Sequence, residues 1–232
     1  MNDAYKGVFV EMKNVKINLK KYKTIVFDCD GVILNSNFFK IDSFFRTAKK
    51  LGGSDTQARA LVDHHLNLGG ISRYPKFVWY LEKVLKQPAT KAAIQEYLDV
   101  FGEDIKEGLM ECEIADGLNE MRQATAQAKW LVVSGADQQE IRDLFVRRDL
   151  QTLFDGGLFG APDNKDTILA REKENANIIL PALFIGDSKY DYQSSKRAGL
   201  DFVFLSDWTD VPNWQAYTKE HKIHVLRNIK SI

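Results

Sequence analysis

The stretch Val26-Phe27-Asp28-Cys29-Asp30-Gly31-Val32 decides the reading of this chain. Apolar, β-favouring residues run into two carboxylates one residue apart, and then a glycine. A strand that stops at an Asp-x-Asp-Gly turn carries acidic side chains to its carboxyl end. In open α/β sheets that edge is where ligands bind. Burying two like charges together is costly unless a cation sits between them. Asp28 and Asp30 therefore point to a Mg²⁺ site with a nucleophilic carboxylate beside it. Taken alone, the pair fits equally a solvated turn in which an Asp caps the next helix.

Three later features add to it. Trp130-Leu131-Val132-Val133-Ser134-Gly135 is a second short apolar run, ending in a hydroxyl and a glycine. Lys165 follows the turn Gly160-Ala161-Pro162-Asp163. Leu183-Phe184-Ile185-Gly186-Asp187 is a third apolar run, with Asp191 shortly after it. Carboxylates, a hydroxyl, a lysine and two more carboxylates follow in that order, most of them at strand ends.

This set, in this order, resembles the haloacid dehalogenase superfamily, whose members are mostly phosphatases. Asp28 and Asp30 match its first motif, Ser134 its second, Lys165 its third, and Asp187 with Asp191 its fourth. The likeness runs from about residue 23 to the end. It implies hydrolysis of a small phosphorylated substrate through an aspartyl phosphate on Asp28. Asp30 is then the general acid and base, since residues i and i+2 of a strand share a face. The resemblance also implies Mg²⁺ held by Asp28, Asp187, the backbone carbonyl of Asp30, and Asp191 directly or through water. Capping of the next helix is the plainer reading of Asp187 and Asp191.

Ser134 and the N–H groups around Gly135 suit phosphoryl oxygens, and a plain Ser cap is the other reading. Lys165 falls in the first turn of a helix, where a cation opposes the macrodipole. That placement suggests an inward role offsetting phosphate and carboxylate charge; an exposed surface lysine is the alternative. Gly69-Gly70-Ile71-Ser72-Arg73 joins two helices and resembles the specificity loop of sugar-phosphate members, β-phosphoglucomutases included. Arg73 there would bind a second anionic group or a sugar hydroxyl, unless it is simply exposed in a loop. His64 and His65 are adjacent and cannot both face one site from a helix.

The hydrophobic pattern divides the chain. Helical spacing dominates from Phe38 to about Glu111, as in Phe38, Ile41, Phe44, Phe45 and Ala48. Four helices are expected there, breaking at Gly52-Gly53, Gly69-Gly70 and Pro88, with the third over 75–86 and the fourth over 90–106. From Ile114 onward strands alternate with helices, with Asp163 capping the helix that carries Lys165. The expected fold class is α/β: a doubly wound, mostly parallel, Rossmann-like sheet with an inserted helical bundle. Its core takes 1–37 and 113–232, and the helical cap 38–112. Before the first motif, Gly7-Val8-Phe9-Val10 and Val15-Lys16-Ile17-Asn18-Leu19 read as short extra strands.

Composition bounds the function. Lys+Arg and Asp+Glu both total 32, which gives no support to general nucleic-acid binding. Two cysteines are too few for a disulfide framework, and Cys29 reads as a small core residue. No run approaches the roughly 18 apolar residues of a membrane span, and no secretory leader is legible, so a cytoplasmic monomer or homodimer is expected. Asp30 argues against a dehalogenase, which needs no second motif acid. A β-phosphoglucomutase-like transferase is the nearer rival, but Lys40 stands where such mutases carry a cap-side histidine. A non-catalytic phosphometabolite-binding protein is the third reading, and the presence of Asp28 and Asp187 tells against it.

Overall fold

A computed structural model describes residues 17–232. Among these residues the sheet has six strands, all parallel. They are β1 (Thr24–Phe27), β2 (Lys129–Asp137), β3 (Gly157–Ala161), β4 (Ala182–Gly186), β5 (Asp201–Leu205) and β6 (His224–Leu226). Their spatial order is β3-β2-β1-β4-β5-β6, so the chain steps outward from β1 twice, once to each side. The reversal between β1 and β4 opens a crevice at the carboxyl ends of those two strands.

Alternation along the strands builds two cores. Ile25, Phe27, Trp130, Val132 and Ile185 face one layer, with Ile141 and Phe145 of α6 (Gln138–Arg147) and Phe154. Val26, Leu131, Val133 and Phe184 face the other, with Ile168 and Leu169 of α7 (Lys165–Glu174). Strands buried on both faces read as continuous apolar runs, as β1 and β4 do. Beside α7, α8 (Lys189–Ala198) packs on β4 and β5, and α5 (Leu118–Ala124) precedes β2. The helix α9 (Trp214–Glu220) links β5 to β6.

Between β1 and β2 come α1 (Asn37–Lys50), α2 (Asp55–Asn67), α3 (Arg73–Trp79) and α4 (Lys91–Glu111). They pack around Phe44, Phe77, Tyr80, Tyr97 and Phe101, with Phe44 and Phe101 ring centroids 4.5 Å apart. Ser54 starts α2 with a reciprocal capping box to Gln57.

Five local expectations need correction. The strand β3 has no strand-like signal in Gly157-Leu158-Phe159-Gly160-Ala161, yet it pairs with β2, and Gly160 permits the close approach because a side chain there would collide with the Ala136 carbonyl. The third helix begins at Arg73, capped by Ser72, and closes in a π turn over Tyr80–Val84; Pro75 sits in its first turn, where no backbone donor is lost. The fourth runs through Gly108 to Glu111, because Phe39 packs flat against that glycine. Asn164, not Asp163, caps α7, accepting from the Thr167 amide. Gly7–Val10 lies outside the described residues, and so do Val15 and Lys16; Leu19–Lys21 forms a 3₁₀ turn rather than a strand.

Candidate active site

Asp28 directly follows β1, and its amide still donates to Ile185 of β4 at 2.9 Å. The chain then turns tightly, with Ile33 and Leu34 amides both donating to the Cys29 carbonyl. Gly31 makes this turn possible. It has φ +73°, and any Cβ there would strike the Asp187 carboxylate. Asp187 follows β4, and Ser188 caps α8. Asp191 closes the capping box, accepting from the Ser188 amide at 3.0 Å and the Ser188 hydroxyl at 2.6 Å. Gly186 lets it approach, since a side chain there would overlap the Asp191 carboxylate. The capping reading of Asp191 and its place in an acidic cluster thus hold together.

Asp28, Asp187 and Asp191 each offer a carboxylate oxygen within 4.8 Å of the others, and all three are buried. Lys165, the first residue of α7, reaches into them. Its Nζ lies 2.7 Å from Asp28 Oδ2 and 2.5 Å from Asp191 Oδ1, and its side chain is 1% exposed. Burial works against the charge of Lys165, but Asp191 and Asp28 outweigh it and hold the ammonium firmly protonated. Burial and the charge of Asp191 push the Asp28 carboxyl up to about 8. Asp187 is driven well above the usual carboxylate range by burial, Asp28, Asp191 and Asp210.

Asp30 stands apart from this cluster. It accepts from Lys40 Nζ at 2.6 Å and from the Ser36 hydroxyl. Burial would raise its pKa; the Lys40 charge and these two bonds outweigh burial and leave it below the ordinary value. Ser134 is buried at the end of the apolar part of β2, its hydroxyl accepting from the Ala136 amide at 3.1 Å. Gly135 touches the loop between α2 and α3: a Cβ there would lie 2.5 Å from the Gly70 carbonyl oxygen. Gly70, at φ +78°, in turn leaves no room for a side chain beside Ser188. Arg73 is no exposed loop arginine. Its Nη2 is 2.6 Å from Glu140 of α6, and its guanidinium lies 5.1 Å from the Phe101 ring centroid.

A cavity of about 70 Å³ lies between the sheet crevice and the helices. Asp28, Asp30 and Asp187 form its floor, and Lys40, His65 and Lys76 line it from the helices. The segment from Gly70 to Arg73 separates it from a wider groove of about 950 Å³ that reaches Lys165 and Tyr190.

Sequence reasoning did not single out Ser36, Asn37, Lys76, Asp210 or Glu140, and it gave His65 no role. Asn37 donates to Asp187 at 2.8 Å and to the Trp208 carbonyl at 2.9 Å. Lys76 donates toward His65 Nδ1 at 2.9 Å, and His65 Nε2 faces Asp210 at 3.6 Å. The adjacent histidines point apart, as expected, since His64 stacks on Trp79 at 3.7 Å. The one usable signal is the helical face shared by Asn37, Lys40, Ile41 and Phe44, which mixes polar groups into an apolar stripe.

Known proteins bear on this geometry. Among curated proteins none matches the chain. Several solved structures share its fold. A predicted phosphatase from Clostridium acetobutylicum aligns with TM-score 0.69 at 16% identity, covering 90% of this chain and 95% of its own. A family IA, variant 3 hydrolase from Entamoeba histolytica aligns at 0.71 and 13%, covering 90% and 95%. A phosphonoacetaldehyde hydrolase-like protein from Oleispira antarctica aligns at 0.68 and 15%, covering 93% and 92%. At such identities the likeness speaks for the fold. The sequence itself matches the haloacid dehalogenase-like hydrolase model over residues 25–205, and the chain therefore belongs to that family.

Proposed function

We propose that this protein is a Mg²⁺-dependent phosphatase of small phosphorylated metabolites, a sugar or sugar-acid phosphate among them, working through an aspartyl phosphate on Asp28. The observation that carries the reading is a charge imbalance: three buried carboxylates, Asp28, Asp187 and Asp191, face a single ammonium, Lys165. Buried charge of one sign requires a partner, and a divalent cation fits the deficit and the all-oxygen donor set. Asp28, Asp187, Asp191 and the Asp30 backbone carbonyl are the groups that would hold it. Bound there, the ion would keep Asp28 ionised and neutralise charge on the phosphoryl oxygens.

The chain's own residues do the rest. An oxygen of Asp28 attacks phosphorus while the bond to the ester oxygen breaks, and Asp30 gives the leaving alcohol its proton. Water then attacks the same phosphorus, Asp30 takes its proton, and orthophosphate leaves Asp28 free. Ser134 and the amide of Gly135 hold phosphoryl oxygens, and Lys165 offsets their charge. Ser36 and Lys40 keep Asp30 in place and, once it has given its proton away, favour the carboxylate that takes one from water. Residues 38–112 form the cap over this site, and 1–37 with 113–232 the catalytic core. Arg73 belongs to the substrate-binding wall and ties the cap loop to α6 through Glu140.

The test is chemical trapping. Brief reaction with a ³²P-labelled ester, acid quenching and hydroxylamine treatment should yield label on protein that hydroxylamine releases, absent in Asp28→Asn. Label retained in Asp28→Asn, or turnover undiminished by a chelator, would remove the mechanism.

A further inference from the structure

The cavity holds one cation whose charge the mechanism does not use. Lys40 is spent on Asp30 at 2.6 Å and Arg73 on Glu140 at 2.6 Å. Lys76 also lines the cavity, its residue 2% exposed, and among the described residues no carboxylate lies within ion-pair distance of its Nζ. Its one hydrogen bond goes to His65 Nδ1, although an ammonium has three donors. Behind it stands a relay. Burial, more than the nearby Lys76 charge, pushes the His65 ring down to about 4, so it is neutral and accepts from Lys76. His65 Nε2 has no hydrogen-bond partner and faces Asp210 at 3.6 Å. The arrangement fixes the amine in place with no carboxylate paired to it.

A buried amine with unused donors and no carboxylate against it is held charged only when something anionic completes it. We propose that Lys76 binds a second anionic group of the substrate, a carboxylate, so that the preferred substrates are compact phosphorylated carboxylic acids. The inference rests on the phosphatase reading for the phosphoryl end and adds the other end. The cavity supports it. It places Lys76 and the Asp28 crevice on one cavity of about 70 Å³, so a short carbon skeleton can join the two ends. Burial holds Lys76 down to about 7 against the pull of Asp210 and Asp30, with Lys40 and Lys165 adding repulsion. An arriving carboxylate reverses that balance and draws a proton onto the amine.

The proposal is tested by binding, independently of turnover. Phosphonoacetate and ethylphosphonate, neither an ester, are titrated calorimetrically into the Mg²⁺-loaded protein. The wild type should prefer the carboxylated compound by about ten- to a hundredfold, one charge-assisted contact. Lys76→Met, similar in length and free of charge, should bind the two alike, with a melting temperature no lower than the wild type's. At about pH 8, titrations in two buffers of different ionisation enthalpy should show proton uptake with phosphonoacetate in the wild type only. Equal affinities in the wild type, or a preference that survives in Lys76→Met, would overturn the assignment. A preference lost only in Arg73→Ala would overturn it too and pass the second anion to Arg73. Tighter binding of methylenebisphosphonate than of phosphonoacetate would overturn the choice of carboxylate. Failure of ³²P trapping with this preference intact would strike the aspartyl-phosphate mechanism alone.

Discussion

Replacing Lys165 with Met removes one charge and keeps nearly the same length. In the wild type Lys165 Nζ sits 2.7 Å from Asp28 and 2.5 Å from Asp191, with all three side chains buried. After the change, Asp28, Asp187 and Asp191 share their crevice with no ammonium against them. Removing one member of a buried ion pair costs about 3–5 kcal/mol. The cost shrinks where a carboxylate takes up a proton instead. Asp28 is poised to do so, having been pushed up to about 8 even with Lys165 present. A carboxyl with a raised folded pKa favours the fold at low pH and loses that contribution as pH rises through the folded value. The lost stability should therefore be small near pH 5 and approach the full ~3–5 kcal/mol near pH 9. Equilibrium urea unfolding of both proteins, in chelator, measures this directly. Adding Mg²⁺ at alkaline pH should then stabilise the variant, because a ligand of the native state alone adds to its stability. A loss under about 1 kcal/mol at pH 9, or one equal at both pH values, would refute the coupled charge cluster.

Other expectations follow from single contacts. Lys40→Met removes the charge that holds Asp30 below its ordinary pKa, so the acid limb of the kcat profile should move to higher pH; an unmoved limb would separate Lys40 from Asp30. Gly31→Ala forces a methyl into the Asp187 carboxylate at a φ of +73°, and activity toward p-nitrophenyl phosphate should fall by more than about a hundredfold while circular dichroism stays native. Arg73 and Glu140, paired at 2.6 Å, should show a coupling of about 1–2 kcal/mol in a double-mutant cycle of unfolding, and a coupling near zero would dissolve the tie.

The legible part of the fold was the part with an unbroken pattern. The apolar runs in β1 and β4 and the helical stripe of α1 announce themselves because burial on two faces, or on one face of a helix, dictates their periodicity. The strand β3 lacks such a pattern because it carries two glycines and lies at the sheet edge, where packing against Ala136 matters more than side-chain burial. Within the site, Asp28, Lys165, Asp187 and Asp191 end adjacent strands or begin helices, so the order of elements alone brings them near. Lys76, His65 and Asp210 come from α3, α2 and the segment before α9, and their meeting depends on how the helices cross. No periodicity in the sequence reports a crossing angle.

The order of the strands also dictates when the site comes into being. Asp28 is made early, yet its neighbours in the cluster stand at 165, 187 and 191, and β4 pairs directly with β1. During synthesis the intervening helices α1 to α4 emerge first, and their contacts with one another are mostly between near neighbours in sequence, which form fast. The first strand must then wait with its β4 edge open until the chain has grown past Asp191. A chain cut before β4 would keep the means to fold its helices and lack two of the three clustered carboxylates. On the proposed metal reading, cation in the surrounding solution would favour only the sheet in which β4 has come home against β1.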